Sequence, residues 1–162
     1  MQVLAGQLGI GRATLYRWVA SREELLSQVF DELAAEIVQV AGAAARGRGT
    51  DRVVHFIERI IGGALALAPL IDLARQEPQL ALRLLLSSSG RVHSRMCVEL
   101  HAVVIEHRPD IPTKSVDVLT PVIVQVATAL VWGTFVIGDP PQTERALTVV
   151  KALLDSAPSA GD

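Results

Sequence analysis

Half of the 162 residues are apolar, only 4% are aromatic, and the formal net charge is −2. These values bound the chain to one or two small domains with a core of Leu, Val, Ile and Ala, and exclude a protein that holds nucleic acid through a global positive field. The single cysteine, Cys97, excludes an internal disulfide; with no charged-then-apolar leader at the start, a cytoplasmic location is expected.

The first predicted element is a helical hairpin. Leu4, Ala5 and Leu8 share one face of a short helix, and Gly9 supplies the positive φ of a sharp turn. Ile10 plugs the corner, and Leu15, Trp18 and Val19 give the second helix its apolar side. Arg12, Ala13, Thr14, Tyr16 and Arg17 face outward. Guanidinium forks suit guanine edges or phosphates, and hydroxyls suit phosphates, so the hairpin reads as a DNA-binding helix-turn-helix. A plain hairpin with basic solvent-facing residues is the competing reading; the agreement of turn, plug and polar face favours the former.

Ser21-Arg22-Glu23-Glu24 forms a capping box, with Ser21 accepting from the Glu24 amide while Glu24 reaches back. It opens a helix from Arg22 to about Ala45, with Leu25, Val29, Leu33, Ile37 and Val40 as the predicted stripe. Gly47-Arg48-Gly49 breaks it. Thr50 or Asp51 caps the next helix, to about Leu67, striped by Val53, Phe56 or Ile57, Ile60, Ala64 and Leu67; Gly62-Gly63 weakens it internally. Pro69 and Pro78 punctuate short helices at Leu70–Gln76 and Gln79–Leu86. Residues 87–90 form a loop, and a helix follows from Arg91 to about His107. Ser115 caps a long apolar helix to Ile137, which Gly138 stops. Asp139-Pro140 reads as N-cap and first-turn proline of a last helix to about Leu154. The tail from Ala157 is expected to be disordered. No strand pattern appears.

The run Val116–Ile137 is long and apolar enough for a bilayer. Asp117, Thr120, Pro121, Gln125, Thr128 and Thr134, with no basic flank after it, argue instead for a central helix or one covered by a partner subunit. His93, Cys97 and His101 recur at i, i+4 and i+8. Residues eight apart lie about 12 Å apart along a helix, too far for one ion, so no metal is expected. A Cys–His nucleophile would lack an oxyanion hole and a third group, so neither an enzyme nor a cofactor is expected. Phe56, Ile60, Met96, Cys97, Leu100, Gln125, Thr128 and Trp132 are core candidates that can also line an apolar ligand cavity between facing helices.

Residues 10–26, Ile-Gly-Arg-Ala-Thr-Leu-Tyr-Arg-Trp-Val-Ala-Ser-Arg-Glu-Glu-Leu-Leu, resemble the signature of the tetracycline-repressor-like (TetR) family of bacterial transcription regulators. Thr14, Leu15, Tyr16, Ser21, Arg22, Glu23 and Leu25 match it; Trp18 and Val19 replace the usual His or Tyr and Phe. The family places a further helix before the hairpin, whereas Met1 falls almost on the second helix of the head. The resemblance therefore implies an all-α fold with a DNA-binding head at 1–28 whose first helix is missing. A ligand-binding and dimerisation body follows at 29–156, and a tail at 157–162.

On this reading Arg12, Thr14 and Arg17 read bases of a double-stranded operator, and Tyr16 and Arg22 hold phosphates. The body takes a small, mainly apolar effector. Two subunits pair through 116–137 and 142–154 in a four-helix bundle, and no membrane is involved. The alternative is a helical protein–protein interaction module that keeps a vestigial head.

Overall fold

The computed structural model describes residues 2–9, 11, 13–14, 17 and 21–158. Nine helices lie among the described residues: α1 Gln2–Gln7, α2 Arg22–Ala44, α3 Gly49–Leu65, α4 Ala68–Gln76, α5 Pro78–Leu86, α6 Arg91–His107, α7 Thr113–Trp132, α8 Thr134–Ile137 and α9 Thr143–Asp155. The chain is all-α over these residues.

Ser21 caps α2 as its sequence predicts, its hydroxyl accepting from the Glu24 amide at 3.0 Å. The reciprocal half of the box is absent. The Glu24 carboxylate accepts from Gln28 and Arg91 instead, both at 2.9 Å, because partners on its exposed side outcompete a backbone N–H. The predicted stripe of α2 needs correction. Val29 and Val40 are 45% and 62% exposed, while Phe30, Val38 and Ala41 are buried and Leu26, Leu33 and Ala34 pack on the core. Apolar residues surround much of this helix, and periodicity alone admits more than one register.

Gly62-Gly63 does not interrupt α3. At Gly63, α3 approaches α2 closely: a Cβ there would lie 2.9 Å from Cγ2 of Ile37, whereas one at Gly62 would meet nothing within 4 Å. The long apolar helix begins at Thr113, two residues before the predicted Ser115 cap, and breaks at Gly133 into α7 and α8. The last helix starts at Thr143 rather than at Pro140. Asp139 and Pro140 each precede a proline and are thereby steered away from helical ψ.

α7 is the central helix, packed between α6 and α9 with α5 and α8 also in contact; α3 packs against α2, α6 and α9. Its inward face, Val116, Thr120, Ile123, Val124, Ala127, Val131 and Trp132, is buried. By length and composition Thr113–Ile137 is apolar enough to cross a membrane, and that buried face is what a central helix of a packed body requires. Arg108, just past α6, ties three ends together. It donates to Thr50 Oγ1 at 2.6 Å, to the Leu154 carbonyl at 2.9 Å, and bidentately to Asp110.

Candidate functional site

The bundle surrounds an apolar cavity that is partly open to solvent. Its empty space, counted together with the part open to solvent, is about 880 Å³. α3 contributes Phe56, Ile57, Ile60, Ile61 and Ala64; α6 contributes Val92, Met96 and Leu100; α7 contributes Ile123, Val124, Ala127, Thr128, Val131 and Trp132. Phe30, Ala34 and Ile37 of α2 complete the wall, with Leu67, Leu70 and Leu85 from the α4–α5 side. Among the described residues, no charged side chain lines it.

The cavity brings together six of the eight residues that the sequence nominated: Phe56, Ile60, Met96, Leu100, Thr128 and Trp132. Gln125 is not among them. It is exposed, two residues from Ile123 and Ala127 and hence on the opposite side of α7. Cys97 is half-buried and lies off the wall, its sulfur 3.7 Å from Nδ1 of the buried His93; burial raises the thiol pKa, which keeps it protonated. His101 pairs with Asp117 at 3.0 Å instead, and no metal-binding cluster occurs among the described residues.

Sequence reasoning missed the α2 wall. Phe30, Ala34 and Ile37, at i, i+4 and i+7, carry the helical spacing that marks a face, but the competing valines obscured it. Their position matters because α2 follows in sequence on the residues nominated as the DNA-binding hairpin.

In the head, Gly9 takes φ +65°, the turn conformation expected there, and its amide donates to the Gly6 carbonyl at 3.2 Å. Ala5 is buried, while Leu8 is 54% exposed. Of the DNA-reading candidates, Thr14 is half-buried and Arg17 exposed. Arg12 and Tyr16 lie outside the described residues. Arg22 is engaged: its guanidinium holds both oxygens of Glu77, at 2.6 and 2.9 Å.

That pair is the first of four that tie α2 to later segments. Glu23 meets Arg83 of α5 at 3.5 Å, Glu24 meets Arg91 of α6 at 2.9 Å, and Asp31 meets Arg95 of α6 at 2.6 Å. The hydrogen bonds from Arg22 and Arg95 hold the Glu77 and Asp31 carboxyls below their usual range.

Comparisons with known proteins fit this architecture. Residues 48–155 match the model of the tetracyclin repressor-like C-terminal domain. A solved structure, that of the R. erythropolis transcriptional repressor QsdR from the TetR family, superposes with a TM-score of 0.83 and 26% identity, covering 96% of this chain and 84% of that one. No curated protein matches. Since the matched domain model spans well over half of the chain, α3 through α9, this chain belongs to the tetracycline-repressor-like family and is a transcription regulator of that type.

Proposed function

We propose that the chain is a ligand-responsive, non-enzymatic repressor of the cytoplasm, released from its operator when a small apolar effector enters the cavity. The observation that carries this reading is the cavity wall formed by Phe30, Ala34 and Ile37 on α2, the helix that continues into the head. A molecule that fills the cavity presses on that helix, and only a differential affinity for two head positions is needed to change DNA binding. With no charge on the wall among the described residues the effector is neutral, since a carboxylate or ammonium there would be desolvated without a partner.

Arg12, Thr14 and Arg17 read the major groove, and Tyr16 and Arg22 hold phosphates. Arg22 must exchange Glu77 for phosphate to do so. Two subunits pair through the outer faces of 116–137 and 142–154, where Val118, Val122, Val136 and Ile137 are 71%, 42%, 49% and 70% exposed.

The test joins two measurements. A thermal-shift screen with neutral apolar compounds is expected to give stabilising ligands. One of these should then lower affinity for a DNA fragment from upstream of the gene, measured against competitor DNA. The double variant Arg12→Ala, Arg17→Ala should lose the preference for that fragment. Ligands that leave DNA affinity unchanged would sink the repressor reading and favour the interaction module.

A further inference from the structure

The cavity wall carries hydrogen-bonding side chains at two places, Thr128 and Trp132, and they stand one helical turn apart on the same face of α7. Thr120 and Thr134 on either side of them are satisfied by carbonyls of their own turns, Val116 at 2.8 Å and Val131 at 3.0 Å. Neither the Thr128 hydroxyl nor the Trp132 indole N–H has a hydrogen-bond partner among the described residues. No fully enclosed side-chain nitrogen or oxygen is left unpaired there, so both groups keep access to open space. Trp132 is only 6% exposed, and it lines the cavity. Its ring is held in place by stacking on Phe135, centroids 5.4 Å apart.

An indole N–H donates and never accepts, whereas a hydroxyl does either. A pair of this kind, one turn apart on an otherwise hydrocarbon wall, is complementary to a single oxygen acceptor. We infer that Thr128 and Trp132 form a two-donor anchor for one uncharged acceptor oxygen, and that the effector is an apolar molecule bearing a carbonyl group. This rests on the effector reading above and names the chemistry of that ligand. A pure hydrocarbon would fill the cavity but leave both donors unpaired; an ionised acid would find no cation on the wall. The anchor lies on the central helix, while the hydrocarbon part of the ligand faces Phe30, Ala34 and Ile37 of α2 across the cavity.

The experiment measures the affinities of n-hexane and 2-hexanone for the full chain, its Thr128→Val variant and its Trp132→Phe variant. Thr128→Val removes the hydroxyl at nearly constant shape. In the unmodified protein both probes bind. The ratio of their affinities shifts against the ketone by roughly tenfold in each variant, as expected for the loss of one neutral hydrogen bond. The carbonyl carbon of bound 2-hexanone should also resonate downfield of its position in alkane solvent, a readout that needs no variant. An unchanged ratio in both variants, or an alkane-like carbonyl shift in the unmodified protein, overturns the anchor. Binding of neither probe overturns the apolar-effector reading itself, and the anchor with it.

Discussion

At the scale of single residues, neighbouring positions make opposed predictions. A Cβ at Gly62 meets nothing within 4 Å, so Gly62→Ala should stabilise the protein by about 0.5–1 kcal/mol through helix propensity and lost chain entropy. At Gly63 the same methyl meets the branched Ile37 at 2.9 Å, and overpacking of about 1–3 kcal/mol offsets that gain. Thermal or urea unfolding of the two variants decides it, and equal stabilisation by both would contradict the close approach of α3 to α2. Asp31 gives a prediction in pH. Its hydrogen bond from Arg95 lowers its pKa in the folded state, so the unfolded chain binds the proton more readily. Its contribution is therefore complete above the ordinary carboxylate range near pH 4 and is lost as pH falls through the lowered folded-state value. Asp31→Asn should be less stable than the unmodified protein at pH 7. Its unfolding midpoint should also fall less steeply on acidification below about pH 4. An unchanged acid limb would remove Asp31 from the account.

At the scale of elements, α2 is a cavity wall and, on the proposed reading, the stem of the head. Ala34→Leu adds three carbons to the wall where there is empty space. The variant is expected to fold with stability within about 1.5 kcal/mol of the original while losing thermal stabilisation by apolar ligands. Retained ligand response in a folded Ala34→Leu protein would place the binding site elsewhere. The helices themselves were legible in the sequence because Pro and Gly punctuate them and Ser21 caps the longest. Six cavity residues were legible because α3, α6 and α7 each present bulky groups at helical spacing. What escaped was orientation. In α2, valines on the outer side compete with Phe30 and Ala34 for the inward face. In α7, Gln125 stands within a mixed polar stripe that looks convergent until the buried face fixes the rotation of the helix. The ion pairs of α2 escaped as well, since Glu77, Arg83, Arg91 and Arg95 lie more than fifty residues beyond their partners and no local spacing announces them.

At the scale of the whole molecule, the outward side of α7 and α8 leaves Val118, Val122, Val136 and Ile137 uncovered. A second copy laid on it through 116–137 and 142–154 should bury at least about 1,200 Å² in total. Val118→Asp and Val122→Asp change residues that project away from the core, so each variant is expected to stay folded by circular dichroism and to run as a monomer in light scattering at micromolar concentration. An unmodified protein that is already monomeric there would remove the two-subunit assembly.

The contact of Gly63 with Ile37 has a mechanical consequence. No Cβ fits at this position beside Ile37, and on the proposed effector reading the close approach can serve α2 as a fulcrum. Phe30 lies seven residues from Ile37 along the helix, about 10 Å, and Arg22 lies fifteen residues away, about 22 Å. A rigid helix rotating about that point moves its head-bearing end roughly twice as far as the cavity wall at Phe30. On the proposed effector reading, a push on the wall at Phe30 would reach the head as a displacement about twice as large. Lengthening α2 by a full turn between Phe30 and Arg22 would raise that gain without touching the ligand site.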